Sequence, residues 1–247
     1  MADPFLEARD ISVRFGGLVA VDAVSARFHA GELVGIIGPN GAGKTTFFNA
    51  ISGVIAPTSG QLLVGDRNLA GRAPHHYAAA GIARTFQTPR VFPDMPVAAN
   101  IDFGLKFAGR RRRGSWHLRD EASILALIGL DHLAALPAAA ITPSQQRLLE
   151  IGMALATRPR MLLLDEVAAG LTELEVDNMA QLIRRMRDEL DVTVVWIEHA
   201  VTTLLRYVER VIVLHQGRKI ADGLPADVVR DACVIEAYLG DEMESTA

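Results

Sequence analysis

The sequence predicts an α/β fold that has a mostly parallel sheet, additional antiparallel strands near the N-terminus and an inserted helical subdomain. Three observations support this prediction. Apolar strand-like runs alternate with helix-like stretches along most of the 247 residues. Residues 38–45 read G-x-x-x-x-G-K-T and lie between an apolar run at 33–37 and a helix-compatible stretch at 46–52. The proline-containing segment from about 88 to 145 has a mostly helical pattern.

The regular elements are predicted from the period of the apolar residues. Alternation of polar and apolar residues favours antiparallel strands at 6–15 and 24–28. Further strands are predicted at 33–37, 60–64, 81–86, 161–164, 192–197, 208–214 and 219–222. Helices are predicted at 97–107, 118–128, 148–156 and 173–190.

The chain is predicted to form a single domain over 1–247, in which a discontinuous core encloses the helical subdomain. We assign residues 1–87 and 146–247 to the core and about 88–145 to the helical subdomain. Four consecutive arginines at 110–113 lie in that subdomain. They form either a solvated loop or a contact with lipid head groups or an acidic partner.

Composition argues against several classes of protein. A formal net charge of −4 and a pI of about 6.0 do not suggest a nucleic-acid binder. Cys233 is the one cysteine, so no disulfide can form within the chain, and no Cys/His cluster has zinc spacing. No apolar run approaches 18 residues, and the first residues lack the regions of a signal peptide. We therefore expect neither a membrane span nor a secretory leader.

The G-x-x-x-x-G-K-T segment predicts a binding site for the phosphates of a nucleotide. Its glycines allow successive backbone N–H groups to approach a polyphosphate, and the following helix directs its positive end at the same anion. Lys44 is predicted to reach the β- and γ-phosphates, and the Thr45 hydroxyl to bind Mg²⁺. The predicted nucleotide-binding residues in this segment are Gly38, Pro39, Asn40, Gly41, Ala42, Gly43, Lys44, Thr45 and Thr46.

Two adjacent carboxylates, Asp165 and Glu166, follow the apolar run at 161–164. A carboxylate at the carboxyl end of a parallel strand faces the ligand crevice of the sheet. We therefore predict that Asp165 holds Mg²⁺ and that Glu166 polarises the water that attacks the nucleotide. The alternative is that the pair only caps the next helix.

These motifs occur in an order that resembles the ATP-binding-cassette (ABC) ATPases, and the resemblance covers nearly the whole chain. It implies that Phe15 stacks on adenine and that Gln87 senses Mg²⁺ or water and couples to membrane subunits. It also implies that His199 contacts the γ-phosphate and that 169–171 is the D-loop. The implied catalytic residues are Glu166, His199, Gln87 and Lys44, and the implied metal ligands are Thr45, Gln87 and Asp165.

A finer resemblance is to the ATPases of high-affinity branched-chain amino-acid importers. The residues that carry it lie at 81–87, 145–147, 149–151, 168–171, 197–199 and 234–240. Importers of urea and short amides belong to the same subgroup. The resemblance therefore implies import of small polar or amphiphilic metabolites without naming one of them.

The signature segment departs from the family pattern L-S-G-G-Q, because it reads Ile141-Thr142-Pro143-Ser144-Gln145 and lacks both glycines. In the family this segment caps the ATP of the opposite subunit. Thr142 is predicted to be the N-cap of a helix, Pro143 its first residue and Gln145 the partner in a capping box. Either the change is compatible with full activity, or the chain belongs to an asymmetric heterodimer in which Thr142, Ser144 and Gln145 form the weaker site.

The resemblance implies ligands, partners and a location. The ligands are ATP and Mg²⁺. The partners are integral-membrane permease subunits, a second ABC ATPase subunit and, indirectly, a substrate-binding protein, with no nucleic acid. A heterodimer is favoured over a homodimer, and the location is the cytoplasmic face of the inner membrane. Three other functions stay open: a non-transport ATPase of the same fold, a regulatory ATP-binding subunit that hardly hydrolyses, and a P-loop kinase.

Overall fold

Two sheets flanked by helices form the fold in the computed structural model, which describes residues 3–107, 118, 120–198 and 201–244. The strands are β1 (Leu6–Phe15), β2 (Leu18–Phe28), β3 (Leu33–Ile37), β4 (Ser59–Val64), β5 (Arg67–Asn68), β6 (Ile82–Arg84), β7 (Met161–Asp165), β8 (Thr193–Ile197), β9 (Arg210–His215) and β10 (Arg218–Gly223). The helices are α1 (Lys44–Ile51), α2 (Pro74–Ala80), α3 (Val97–Phe107), α4 (Glu121–Ile128), α5 (Pro143–Ala156), α6 (Glu173–Leu190), α7 (Val201–Leu205), α8 (Pro225–Val228) and α9 (Ala232–Glu244). His199 and the arginines at 110–113 lie outside the described residues.

The larger sheet has the strand order β10-β9-β3-β8-β7-β6, and its neighbouring strands are parallel except for β9 and β10. Every residue of β3, β7 and β8 is buried, as expected for strands that are covered on both faces. Parallel strands direct their carboxyl ends to one edge of a sheet. The motif at 38–45 and the pair Asp165–Glu166 therefore meet at this edge.

The smaller sheet is antiparallel, with the order β2-β1-β4-β5. Helix α1 packs between the two sheets, because Phe47, Phe48 and Ile51 share one core with Phe28 of β2 and Val195 of β8. All five of these side chains are fully buried. The packing fixes the start of α1 at the carboxyl edge of the larger sheet.

A second core lies on the other face of the larger sheet and joins it to α3, α4, α5 and α6. Helices α3 and α5 approach closely at two glycines. A Cβ atom on Gly104 would lie 2.8 Å from both Ala156 Cβ and Met153 O, and one on Gly152 would lie 2.7 Å from Ile101 Cδ1. The absence of these two side chains sets the distance between the helices.

Four predicted elements are confirmed at both their first and last residues. They are the strands at 6–15 and 33–37 and the helices at 97–107 and 173–190. The helix start predicted at 118 is wrong, because helix α4 begins at Glu121, where Asp120 accepts a hydrogen bond from the Ser123 amide. Helix α5 begins at Pro143, as the predicted capping box at Thr142 indicates, and not at 148, where the apolar pattern begins. It crosses the predicted subdomain boundary at 145.

Five elements are not predicted by the sequence. The elements α2, α7, α8 and β5 have two to seven residues, which is too short for a stripe of apolar residues to be seen. Helix α9 is longer, but Gly240 and acidic residues interrupt its apolar pattern. None of the five elements contributes one of the predicted site residues.

We expect the substitution Gly104→Ala to lower the free energy of unfolding by about 1–2 kcal/mol. The added methyl group would force α3 away from the Met153 carbonyl, and this overpacking outweighs the better helix propensity of alanine. Chemical denaturation of the purified chain measures the change. Gly17→Ala is the control, because a Cβ atom there meets nothing within 4 Å. A Gly104→Ala variant more stable than wild type would contradict this account of the packing.

Candidate functional site

The loop after β3 takes its shape from glycines that have close backbone neighbours. Gly38 has a φ of 151°, and a Cβ atom there would lie 2.0 Å from the Leu214 carbonyl oxygen of β9. Gly43 has a φ of 93°, and its Cβ atom would lie 2.4 Å from Ala20 O of β2. Both conformations favour glycine. The loop is therefore held between β9 and β2, with its backbone turned toward the start of α1.

Lys44 is held inside this loop. Its Nζ atom donates hydrogen bonds to Gly38 O at 2.6 Å and to Pro39 O at 2.8 Å, and the side chain is buried. The residue also opens α1, where the first backbone N–H groups have no partner within the helix. The ammonium group and these N–H groups together create a positive region that suits a polyphosphate.

A cavity of about 520 Å³ opens beside the loop. Phe15, with 49% of its surface exposed, and Leu18 line one part of the cavity, and residues 40–46 line another. Gln216 in the turn between β9 and β10 completes the wall. Pockets of this size accommodate small ligands such as a nucleotide. The structure thus brings Phe15 and seven of the nine predicted phosphate-binding residues, those at 40–46, to one cavity.

Asp165 ends β7 at the same edge and forms a buried ion pair that sequence motifs do not predict. Arg84 Nη2 lies 3.1 Å from Asp165 Oδ2, and both side chains are at least nine-tenths buried. Arg84 also donates from Nη1 to Asn49 Oδ1 at 2.7 Å and to Ser52 Oγ at 2.8 Å. Burial lowers the pKa of Arg84, and the Asp165 charge opposes that shift. The guanidinium therefore ties the end of β7 to α1.

Glu166 adopts a left-handed conformation with a φ of 50°, which is unusual for a residue with a side chain. Its amide donates to Ile197 O at 3.0 Å, so the turn is fixed against β8. Gln87 Nε2 donates to Glu166 Oε2 at 2.7 Å. The structure therefore brings together Gln87 and Glu166, the two residues for which the family resemblance implies a catalytic role.

Glu198 is a further buried acid at this edge. It accepts hydrogen bonds from the Ala168 amide at 2.7 Å and from Trp196 Nε1 at 2.9 Å. Burial raises the pKa of Glu198, and the nearby Glu166 charge raises it further. In the sequence, the one sign of this residue is its position directly after an apolar run. Glu198 holds the turn that follows Glu166.

The altered signature segment forms a regular helix start. Gln145 N donates to Thr142 Oγ1 at 3.3 Å, and Thr142 N donates to Gln145 Oε1 at 2.9 Å. The Thr142 and Ser144 hydroxyls lie 3.0 Å apart, and the Ser144 hydroxyl is among the groups that lower the pKa of Glu175 of α6. The predicted capping box with Pro143 in the first helical turn is confirmed.

Some predicted site residues in the described part of the chain do not line the cavity with Phe15 and Lys44. They are Gly38, Pro39, Gln87, Asp165, Glu166 and the signature residues Thr142, Ser144 and Gln145. Ser144 and Gln145 instead line a second cavity between α4, α5 and α6. The chain alone does not bring the signature segment to its own phosphate-binding loop.

Comparison with protein-family models gives two matches. The model described as "ABC transporter" matches residues 21–169. The model described as "Branched-chain amino acid ATP-binding cassette transporter" matches residues 218–244, which include β10 and α9. The first match covers the phosphate-binding loop, Gln87 and the Asp165–Glu166 pair.

Curated relatives match along the whole chain. The chain is 37% identical to the high-affinity branched-chain amino acid transport ATP-binding protein BraF of Pseudomonas aeruginosa, over 98% of this chain and 100% of the relative. It has the same identity and coverage with LivG of Escherichia coli K12, which carries the same description.

Solved structures give the same result. A nucleotide-free ATP-binding cassette from an ABC transporter has a TM-score of 0.80 with this chain at 28% identity, covering 95% of this chain and 98% of that one. An ATP-binding cassette solved in its ADP conformation has a TM-score of 0.81 at 28% identity, covering 97% and 100%. The fold agrees with these similarities.

We expect Arg84→Gln to lower the free energy of unfolding by about 3 kcal/mol, because it leaves the buried Asp165 carboxylate without its ion-pair partner. Urea denaturation in a buffer without nucleotide or divalent cations measures the loss. Arg90→Gln is the matched control: Arg90 also lies over the Phe86 ring, but its side chain is exposed. Equal losses in the two variants would show that the ion pair adds nothing.

Proposed function

The chain belongs to the ABC transporter family of ATP-binding proteins, and from this we propose that it hydrolyses ATP to energise import of branched-chain amino acids or related small metabolites. The observation that carries the hydrolytic role is the contact between Gln87 and Glu166 at the edge that also holds Lys44. The substrate class is supported by the descriptions of BraF and LivG and by the match at 218–244.

The described residues fit a nucleotide with a bound magnesium ion. Phe15 offers an aromatic surface for adenine, and Lys44 with the start of α1 offers positive charge for the phosphates. Thr45 supplies a hydroxyl, Asp165 a carboxylate and Gln87 a side-chain carbonyl oxygen. Oxygen donors of this kind are the ligands that magnesium prefers. When bound, the ion neutralises charge that develops on the β- and γ-phosphates.

Glu166 is proposed as the group that orients the attacking water and accepts its proton. A general base needs a fixed position more than great strength. The Glu166 backbone is fixed by the hydrogen bond from its amide to the Ile197 carbonyl. Its side chain is fixed by the hydrogen bond that it accepts from Gln87 Nε2. His199 is proposed to contact the γ-phosphate and the water, since it follows β8 two residues after Ile197.

A second ABC ATPase subunit is proposed to complete the site. The signature segment does not line the Phe15 cavity, so in our proposal the phosphates bound by Lys44 need a signature segment from another subunit. We favour a heterodimer, because Pro143 lacks an N–H group and Ser144 adds a side chain where the family has glycine. A homodimer is the alternative.

Permease subunits are proposed to dock beside the Gln87 loop. Phe92 and Phe103 are about 40% exposed there, and their rings form an edge-to-face pair with centroids 4.8 Å apart. The buried Asn100 fixes Phe92 by accepting from its amide at 2.7 Å and donating to its carbonyl at 3.2 Å. An exposed aromatic pair held rigidly in this way suits an apolar segment of a membrane subunit.

We place the chain at the cytoplasmic face of the membrane, bound peripherally through its permease subunits. Among the helices that the structure describes, none is both long and apolar enough to cross a bilayer. Attachment therefore depends in our proposal on contacts such as that of the Phe92–Phe103 pair. A regulatory subunit that hardly hydrolyses ATP is the second candidate, because the signature segment is altered.

The catalytic role is tested in the purified complex of this chain with its membrane and ATPase partners. We expect Glu166→Gln in this chain alone to reduce ATP hydrolysis at least 50-fold while ATP remains bound, because water loses its general base. Glu209→Gln, an exposed carboxylate on the protein surface, is the control. Hydrolysis by Glu166→Gln at the full wild-type rate would refute the catalytic assignment, whereas a partial loss bears on the second site.

The asymmetry of the dimer is read from the same experiment. Near-total loss of hydrolysis means that the other site cannot compensate, in agreement with a weak site formed by this chain's signature segment. Retention of about half of the activity or more would mean that the second site works despite Thr142, Pro143 and Ser144, and the asymmetric heterodimer would be abandoned.

Permease docking is tested by co-purification from detergent-solubilised membranes. We expect Phe103→Ser to reduce the recovered membrane subunits several-fold, because it removes half of the exposed aromatic pair. The control is Val54→Ser, which changes a similarly exposed apolar residue after α1. Unchanged recovery with Phe103→Ser, or an equal loss with the control, would contradict this docking surface.

A further inference from the structure

Glu150 is a buried acid in the middle of α5 whose two carboxylate oxygens are both used. It is 6% exposed. Its Oε1 accepts a hydrogen bond from the Arg90 amide at 3.0 Å, and its Oε2 accepts one from the Phe86 amide at 3.3 Å. Burial raises the pKa of Glu150 to about 6, although the two amides and the charges of Arg84 and Arg90 lower it. Burial of this carboxylate costs desolvation free energy, and its two hydrogen bonds fix the short loop from Phe86 to Arg90.

The two amides that Glu150 holds lie on either side of Gln87 in the chain. Phe86 precedes Gln87 directly, and Arg90 follows it by three residues. Between these anchors, Gln87 and Thr88 are exposed, and the Gln87 amide reaches Glu166 Oε2 at 2.7 Å. The position of the Gln87 backbone is therefore set by the Glu150 carboxylate.

The Phe86 ring strengthens this anchor. The guanidinium of Arg90 lies 3.9 Å from the ring centroid, and that of Arg84 lies 4.5 Å from it. Both are within the range of cation–π contacts. Because Arg84 also pairs with Asp165, the loop is connected to the end of β7 as well as to α5.

Helix α5 also contacts the loop that follows Glu166. Arg147 Nη1 donates to Val167 O at 3.1 Å and to Ala169 O. Arg147 and Glu150 are three residues apart, so they lie on one face of the helix. The same helix begins at Pro143, about 10 Å along its axis from Glu150. A rigid helix thus links the signature segment to the loops of both catalytic side chains.

We propose that Glu150 is a positioning residue, which holds Gln87 against Glu166 by fixing the backbone on both sides of Gln87. This inference rests on the proposed ATPase function.

The test is a double-mutant cycle on ATP hydrolysis by the purified complex, with Glu150→Gln and Gln87→Ala made singly and together. An amide presents one acceptor oxygen, so Glu150→Gln loses one of the two anchoring bonds. We expect the rate at saturating ATP to fall about 10-fold and the KM for ATP to change less than twofold. In the Gln87→Ala background, Glu150→Gln should change the rate less than twofold, because its effect passes through Gln87.

Glu121→Gln is the control, because it changes an exposed carboxylate at the start of α4 in the same subdomain. The cycle is repeated with Glu150→Asp, which keeps the charge but shortens its reach, so a folding defect in one variant does not decide the result. An equal fall in both backgrounds, or no fall in either, would overturn the positioning role. A wild-type complex without ATP hydrolysis would instead overturn the proposed function.

Discussion

The site depends on the ion pair between Arg84 and Asp165. Without a cation beside it, Asp165 would be a costly charge at the end of a fully buried strand. Arg84 supplies the cation and uses its second Nη atom to bind Asn49 in the last turn of α1 and Ser52 directly after it. The helix that begins at Lys44 is thereby fixed to the strand that ends at Asp165. In the proposed function, phosphate binding and hydrolysis would therefore share this frame.

Helix α5 fixes the two loops that carry Gln87 and Glu166. Arg147 and Glu150 bind the backbone after Glu166 and on both sides of Gln87, respectively. Because they bind main-chain groups, the side chains of Gln87 and Glu166 remain available for each other. The arrangement separates positioning from the proposed chemistry. The buried Glu150 and the partly exposed Arg147 set where the loops lie, and Gln87 and Glu166 on those loops are the side chains proposed to act on the nucleotide.

The sequence predicts what depends on local pattern. The phosphate-binding loop, the Asp165–Glu166 pair and the Thr142 capping box are each contained in a few consecutive residues. Arg84, Glu150 and Glu198 are not predicted as site residues, because their partners come from distant parts of the chain. A charged residue within an apolar run was the only local sign of each. The contact between Gln87 and Glu166, which are 79 residues apart in the chain, is not predicted. The resemblance to a family implies only that both residues belong to one site.

The acidic surroundings of the signature segment bear on the proposed asymmetric heterodimer. Glu175 of α6 accepts hydrogen bonds from the Thr172 hydroxyl at 2.8 Å and from the Thr172 amide at 2.9 Å, and these bonds, with the nearby Ser144 hydroxyl, lower its pKa. Glu175 lines the same cavity as Ser144 and Gln145. The Thr142 and Ser144 hydroxyls lie 3.0 Å apart, so one of the two donates to the other within the helix start. A phosphate at this helix start would lie near the Glu175 carboxylate, whose charge opposes the favourable field of the helix. In the proposed heterodimer, this charge would weaken the capping of the opposite nucleotide by this chain's signature segment.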